Sequence, residues 1–239
     1  MEIIYVLGVK GGIGKTTYSL YFAKRLSFMG NKVLYLDHDY LSFGSLVLGH
    51  HDIGLVEEIE NRLPALSRSL INSDNFYMLK LLSDPIDFNK IYSLGDEIME
   101  AMEKLSDLGI QYIILDSSVG LMPDDIIVKS LEKLSLVRKS VYLSDIPSLN
   151  STIKYSQLWR DAVNYKALAI NMVPPIPEDM DEARSIAKSI YQSEKFNMVA
   201  VIPFDEKIYN YKPINNNYVY ERLDSILHNL INNTNDLII

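Results

Sequence analysis

Val9-Lys10-Gly11-Gly12-Ile13-Gly14-Lys15-Thr16-Thr17 is the stretch whose reading decides the fold. It follows the apolar run 3–7, which reads as a buried strand, and precedes 18–26, which reads as a helix. Glycines between a strand and a helix let backbone N–H groups turn inward at the helix N-terminus, where the helix dipole also favours anions. A lysine and a threonine closing such a loop supply a cation for terminal phosphates and a hydroxyl for Mg²⁺. The pattern G-x-x-x-x-G-K-[ST] is broken at its first position, which is Val9, and a second lysine, Lys10, stands five residues before Lys15. A dinucleotide fingerprint fits less well, because the third glycine position holds Thr17 and that chemistry has no use for Lys15.

With this lysine-bearing loop, residues 10–17 resemble the deviant Walker A motif of the ParA/MinD family, a branch of the P-loop NTPases. The resemblance is strong over 3–49, weaker at 110–121 and 167–205, and faint over 50–95 and after 206. It implies ATP and Mg²⁺ as ligands, with Gly11, Gly12, Ile13, Gly14, Lys15, Thr16 and Thr17 around the phosphates. It also implies that Lys10 crosses to the nucleotide of a second subunit in an ATP-bound homodimer.

The 239 residues, nearly half of them apolar, suit one domain over 1–239 with a sizeable core. Strand and helix patterns alternate, as in a doubly wound α/β fold: a mostly parallel sheet with helices on both faces. Strands are expected at 33–36, 76–82, 112–115, 140–143, 167–170 and 198–202. Helices are expected at about 53–72, 94–108, 124–134, 150–161, 180–193 and 218–231. The run 215–217 reads as a polar loop, and 236–239 carries no decisive pattern.

The absence of cysteine excludes disulfides, thiolate zinc and iron–sulfur ligation. That separates the chain from relatives such as the nitrogenase iron protein. The sequence opens directly on a strand and has no apolar run of ~20 residues, so a cytoplasmic protein is expected. The net charge of −8 works against general attraction to nucleic acid.

Acidic residues at the C-terminal ends of parallel strands are placed to serve a metal and a water. Asp37 and Asp39 follow 33–36, and Asp116 follows 112–115. By the resemblance, Asp39 orients the attacking water, and Asp37 and Asp116 approach Mg²⁺ through water while Thr16 binds it directly. Lys10, Lys15 and Asp39 are thus the expected catalytic set. The segment Asp116-Ser117-Ser118-Val119-Gly120-Leu121 resembles switch II with Ser118 where the family has proline, and places the Gly120 N–H near the γ-phosphate. Asn171 resembles the asparagine that meets adenine, and Pro203, Phe204 and Asp205 the turn beside the base. No N-K-x-D follows, which favours ATP over GTP.

The resemblance implies an ATPase that switches dimerisation, hydrolyses slowly until a protein partner stimulates it, and serves DNA segregation or intracellular positioning. The alternatives are a non-hydrolysing ATP-binding module and a small-molecule kinase or synthetase. The polar face of 218–231 is not basic, which argues against a membrane surface. Lys129, Lys133, Arg138, Lys139, Lys154, Arg160 and Lys166 are interleaved with acids and read as a solvated face, with nonspecific DNA binding by a dimer as the sharper alternative. His50-His51 reads as a solvated loop.

Overall fold

The computed structural model describes residues 1–135, 137–209 and 219–238; the run 215–217, the expected start of the last helix at 218 and residue 239 lie outside them. Among the described residues nine strands form one sheet in the order β3-β4-β2-β5-β1-β6-β7-β8-β9. In chain order they are β1 (Glu2–Leu7), β2 (Val33–Asp37), β3 (Leu70–Ser73), β4 (Phe76–Lys80), β5 (Tyr112–Asp116), β6 (Arg138–Ser144), β7 (Tyr165–Val173), β8 (Met198–Pro203) and β9 (Asp236–Ile238). Among the described residues only the β3–β4 pairing is antiparallel.

Strand side chains alternate between faces, so β1 feeds two cores. Ile3, Tyr5 and Leu7 join one layer with α4 (Gly95–Glu103), α5 (Ile126–Leu134), α6 (Leu149–Leu158) and α7 (Pro177–Ser193). Ile4 and Val6 join the other with α1 (Lys15–Phe28) and a terminal helix, here α8 (Glu221–Asn232). β1 lies between β5 and β6, where the strand order runs outward in both directions. Ligands of open α/β sheets bind in the crevice at that place, beyond the strand C-termini.

The expected helix over 53–72 is corrected. Only α3 (Leu55–Glu60) is helical, and a turn leads from it into β3. Arg62 and Leu66 take left-handed backbone angles (φ 55° and 68°), and Pro64 has no N–H to extend a helix. The buried Glu58 carboxylate then gathers the turn. It accepts from the Leu66 and Arg68 N–H groups at 2.9 and 2.6 Å and from the Ser67 and Ser69 hydroxyls at 2.6 and 2.5 Å. His50 is also corrected: it is buried, with Nε2 3.2 Å from the Ser69 carbonyl.

The terminal helix buries Leu223, Ile226, Leu227 and Leu230 against the core. Its last carbonyls are capped by the wholly buried Lys139, whose Nζ donates to Leu230 O at 2.5 Å and pairs with Glu2 at 2.7 Å. Residues 236–238 add the edge strand β9 beside β8.

Candidate functional site

The loop between β1 and α1 wraps the crevice at the sheet's switch point. Gly14 caps α1 with φ 97°, a left-handed angle that strains any residue with a Cβ. Lys15 opens the helix, and its ammonium, on a residue only 8% exposed, lies 3.4 Å from the Lys10 carbonyl. Burial lowers its pKa, while Asp116 and Asp39 pull in the opposite direction.

A hollow of about 410 Å³ is lined by Gly12, Gly14, Lys15, Thr16, Asp39 and Val119, among others. A slot of about 40 Å³ adjoins it, lined by Gly14, Tyr18, Asn171, Pro203, Phe204 and Asp205. Thr17 and Met172 line both. Met172 sits at an irregularity of β7 with φ 59°, a costly angle for a non-glycine residue.

The carboxylates separate by depth. Asp39 lines the hollow, whereas Asp37 and Asp116 are wholly buried behind it. Asp37 accepts from the Ser45 N–H and hydroxyl, each at 2.7 Å, and from the Asp39 N–H at 3.2 Å. It therefore staples the turn after β2 to the short helix α2 (Phe43–Val47). Asp116 accepts from Ser19 at 3.2 Å and Tyr35 at 2.7 Å. Desolvation raises both carboxyl pKa values; the neighbouring Asp37 charge adds to that rise at Asp116, and the hydrogen bonds oppose it.

Lys10 points away from its own hollow and pairs with Asp145 beyond β6. Burial pushes the Asp145 pKa up, but hydrogen bonds from Lys10 and Ser148 outweigh it and hold the carboxyl below the usual aspartate range. The Gly120 N–H, expected near a γ-phosphate, instead donates to the Gly8 carbonyl at 3.0 Å. Asn171 borders the slot, but its side chain is engaged: Nδ2 donates to Ile13 O at 2.9 Å and Oδ1 accepts from the Tyr18 hydroxyl at 3.1 Å.

Sequence reasoning missed Tyr35, Gly44, Ser45, Tyr18 and Asp145. Tyr35 looked like one more apolar strand residue, yet it stands two positions before Asp37 on the same face and reaches Asp116. Gly44 lies directly over it: a Cβ there would come within 1.7 Å of the Tyr35 oxygen. The signal lay in Gly44-Ser45 closely following the paired aspartates.

The expected basic face is dispersed. Lys139 is buried, Arg138 pairs with Glu132 at 2.5 Å, and Lys166 lies 5.4 Å from the centre of the Phe196 ring. Among the described residues no group of three or more His, Asp or Glu is placed to hold a metal. Mg²⁺ takes few protein ligands and several water and phosphate oxygens, and Thr16, Asp39 and Asp116 offer oxygen donors of that kind. Among the described residues no helix is long and apolar enough to cross a membrane.

Comparison with known proteins agrees with the fold. The AAA domain family model matches residues 1–118. The septum site-determining protein MinD of Neisseria meningitidis is 28% identical over 161 residues, 58% of this chain and 56% of that protein. The chain is thus similar in sequence to MinD proteins and shares their fold. Its alignments span about half the length of the curated relatives it matches. The fold is shared with an ATP complex of a Cyanothece McdA variant (TM-score 0.72, 17% identity, 100% of this chain and 99% of that one). It is shared also with Pyrococcus horikoshii MinD complexed with Mg-ADP (TM-score 0.62, 23% identity, 87% and 84%).

Proposed function

We propose that this MinD-like protein is an ATP-driven dimerisation switch. Mg-ATP lies along the loop, with its phosphates in the hollow over Lys15, Thr16 and Thr17 and its base in the slot beside Pro203, Phe204 and Asp205. Thr16 would hold Mg²⁺ with Asp116 as a further oxygen donor, and Asp37 fixes the turn that presents Asp39. The bound Mg²⁺ supplies charge neutralisation. Asp39 orients the water that attacks the terminal phosphate, and Lys15 stabilises the charge that develops there.

The observation that carries the reading is Lys10. It is rooted in the phosphate loop, half exposed, and held off its own hollow by Asp145. The exposed apolar side chains Phe43 and Val119 line the same hollow, and Leu41 and Met122, close to them in sequence, are exposed as well. A second copy placed face to face covers that apolar rim and offers its phosphates to Lys10. The Lys10–Asp145 pair, with Lys10 half exposed to water, is weak enough to exchange.

The dispersed basic residues favour a protein assembly over DNA as the cargo. The similarity to septum site-determining proteins supports intracellular positioning. Sedimentation velocity with Mg-ATP tests the switch: the Asp39→Ala variant is expected to accumulate as a dimer and Lys10→Ala to stay monomeric. Monomers in both would overturn the reading. Steady phosphate release by the unaltered protein, lost in Lys15→Ala, tests the hydrolysis.

A further inference from the structure

We infer that His38 and Asp125 form a buried strut between the turn that carries Asp39 and the segment 117–125, and that the strut positions Asp39 for hydrolysis. Its consequence for hydrolysis rests on the reading of Asp39 given above. His38 stands between the two aspartates of that turn, and the nucleotide reading gives it no task. Side chains alternate along β2, so Tyr35 and Asp37 face the α1 layer while Leu34, Leu36 and His38 face the layer of α4 and α5. There His38 is wholly buried, and an imidazole in an apolar layer needs a polar neighbour.

Asp125 supplies one. His38 Nε2 lies 3.6 Å from Asp125 Oδ1, and Asp125 is only 5% exposed. The same oxygen accepts from the Ile127 N–H at 2.8 Å, so Asp125 caps the N-terminus of α5. α5 is itself fixed, with Ile127, Val128 and Leu131 in the core. The imidazole therefore leans on an anchored carboxylate.

The backbone completes the link. The His38 N–H donates to the Asp116 carbonyl at 3.0 Å, which holds the turn to the end of β5. Asp39 follows directly, and both Asp39 and Val119 of the second segment line the hollow. The two segments thus meet twice behind the phosphate site, once through backbone and once through His38 and Asp125. Neither side chain lines the hollow, so they are positioning residues and not catalytic ones.

Steady-state phosphate release from Mg-ATP separates positioning from binding. His38→Phe fills the space without the polar contact. Asp125→Ser keeps a cap for α5 but is too short to reach His38. Each is expected to lower kcat about ten- to a hundredfold, with KM within about twofold. The double variant should be no worse than the poorer single one, as for two residues that act as a unit. His38→Gln, whose amide nitrogen can stand where Nε2 does, should recover kcat to within about threefold of the unaltered protein. An unchanged kcat in both single variants, or a loss confined to KM, would overturn the strut. If His38→Phe does not fold, Asp125→Ser decides alone.

Hydrogen exchange on the nucleotide-free protein reads the strut without turnover. Asp125→Ser is expected to speed exchange in 38–45, and His38→Phe in 117–125, by about threefold or more. A change confined to the substituted segment would overturn the link. A lack of phosphate release by the unaltered protein would instead overturn the hydrolysis reading, and the exchange experiment would still decide the strut.

Discussion

The phosphate loop and the turn that follows α3 solve related problems in opposite ways. Both are short irregular segments with left-handed residues, Gly12 and Gly14 in one and Arg62 and Leu66 in the other. The turn carries its own anion, Glu58, which receives two backbone N–H groups and two hydroxyls. Residues 8–17 contain no acid, and a lysine sits at the foot of the hollow. One segment is closed by an internal carboxylate and is structural. The other borders an open hollow and is shaped for an anion from outside.

The sharpest way to break this comparison is to remove the loop's cation. Lys15→Ala leaves the phosphates without their buried partner. The expected loss is about 4 kcal/mol of ATP binding, roughly a thousandfold in affinity. Titration calorimetry reads the affinity and thermal melting the fold. A melting temperature that falls along with the affinity would mean that the loop, like the turn, is structural.

The converse change should hurt stability and spare binding. Glu58→Gln puts an NH₂ group among four donors, and denaturant titration should show a loss of about 2 kcal/mol, with ATP affinity unchanged. Burial raises the Glu58 pKa, but the hydrogen bonds from Ser67, Ser69 and the backbone outweigh it and hold the value below the ordinary 4.5. A carboxylate with a depressed folded-state pKa contributes stability that is present in full above the unfolded value and is lost as pH falls through the folded one. The unaltered protein should therefore lose this increment below about pH 4.5, whereas Glu58→Gln should show a flatter acid limb.

A smaller effect is expected behind the hollow. In Gly44→Ala the new methyl meets the Tyr35 oxygen at 1.7 Å, so the hydroxyl must leave Asp116. The expected loss is about 1–3 kcal/mol by denaturant titration. The variant should also need more Mg²⁺ to reach half-saturation with ATP, which separates a metal-side role from simple overpacking.

The two segments also differ in how far the sequence exposed them. The phosphate loop was legible because its chemistry needs fixed residue types in consecutive positions. The strand runs around it were legible because buried parallel strands are continuously apolar. The turn was not. Val56, Ile59, Leu63, Leu66 and Leu70 keep helical spacing while belonging to a helix, a turn and a strand. What breaks the helix is a buried carboxylate meeting residues eight to eleven positions away, which periodicity does not register. The site was legible in part for the same reason. Asp39 and Lys15 were placed by motif, whereas Tyr35 reaching Asp116 across the sheet and Tyr18 reaching Asn171 are long-range contacts made only by the fold.

The smallest predicted effect tests whether the turn's stability comes from its buried carboxylate or from charge pairing in general. Arg68 donates its N–H to Glu58 and pairs its guanidinium with Asp52 on the surface. Both side chains of that pair are well exposed, at 51% and 40%, so water and salt screen the attraction. Arg68→Ala keeps the backbone N–H that Glu58 uses and removes only the exposed pair. Its denaturation midpoint should therefore lie within the replicate scatter of the unaltered protein, at low and at high salt alike. A midpoint as low as that of Glu58→Gln would mean that the surface pair, and not the internal anion, orders the turn.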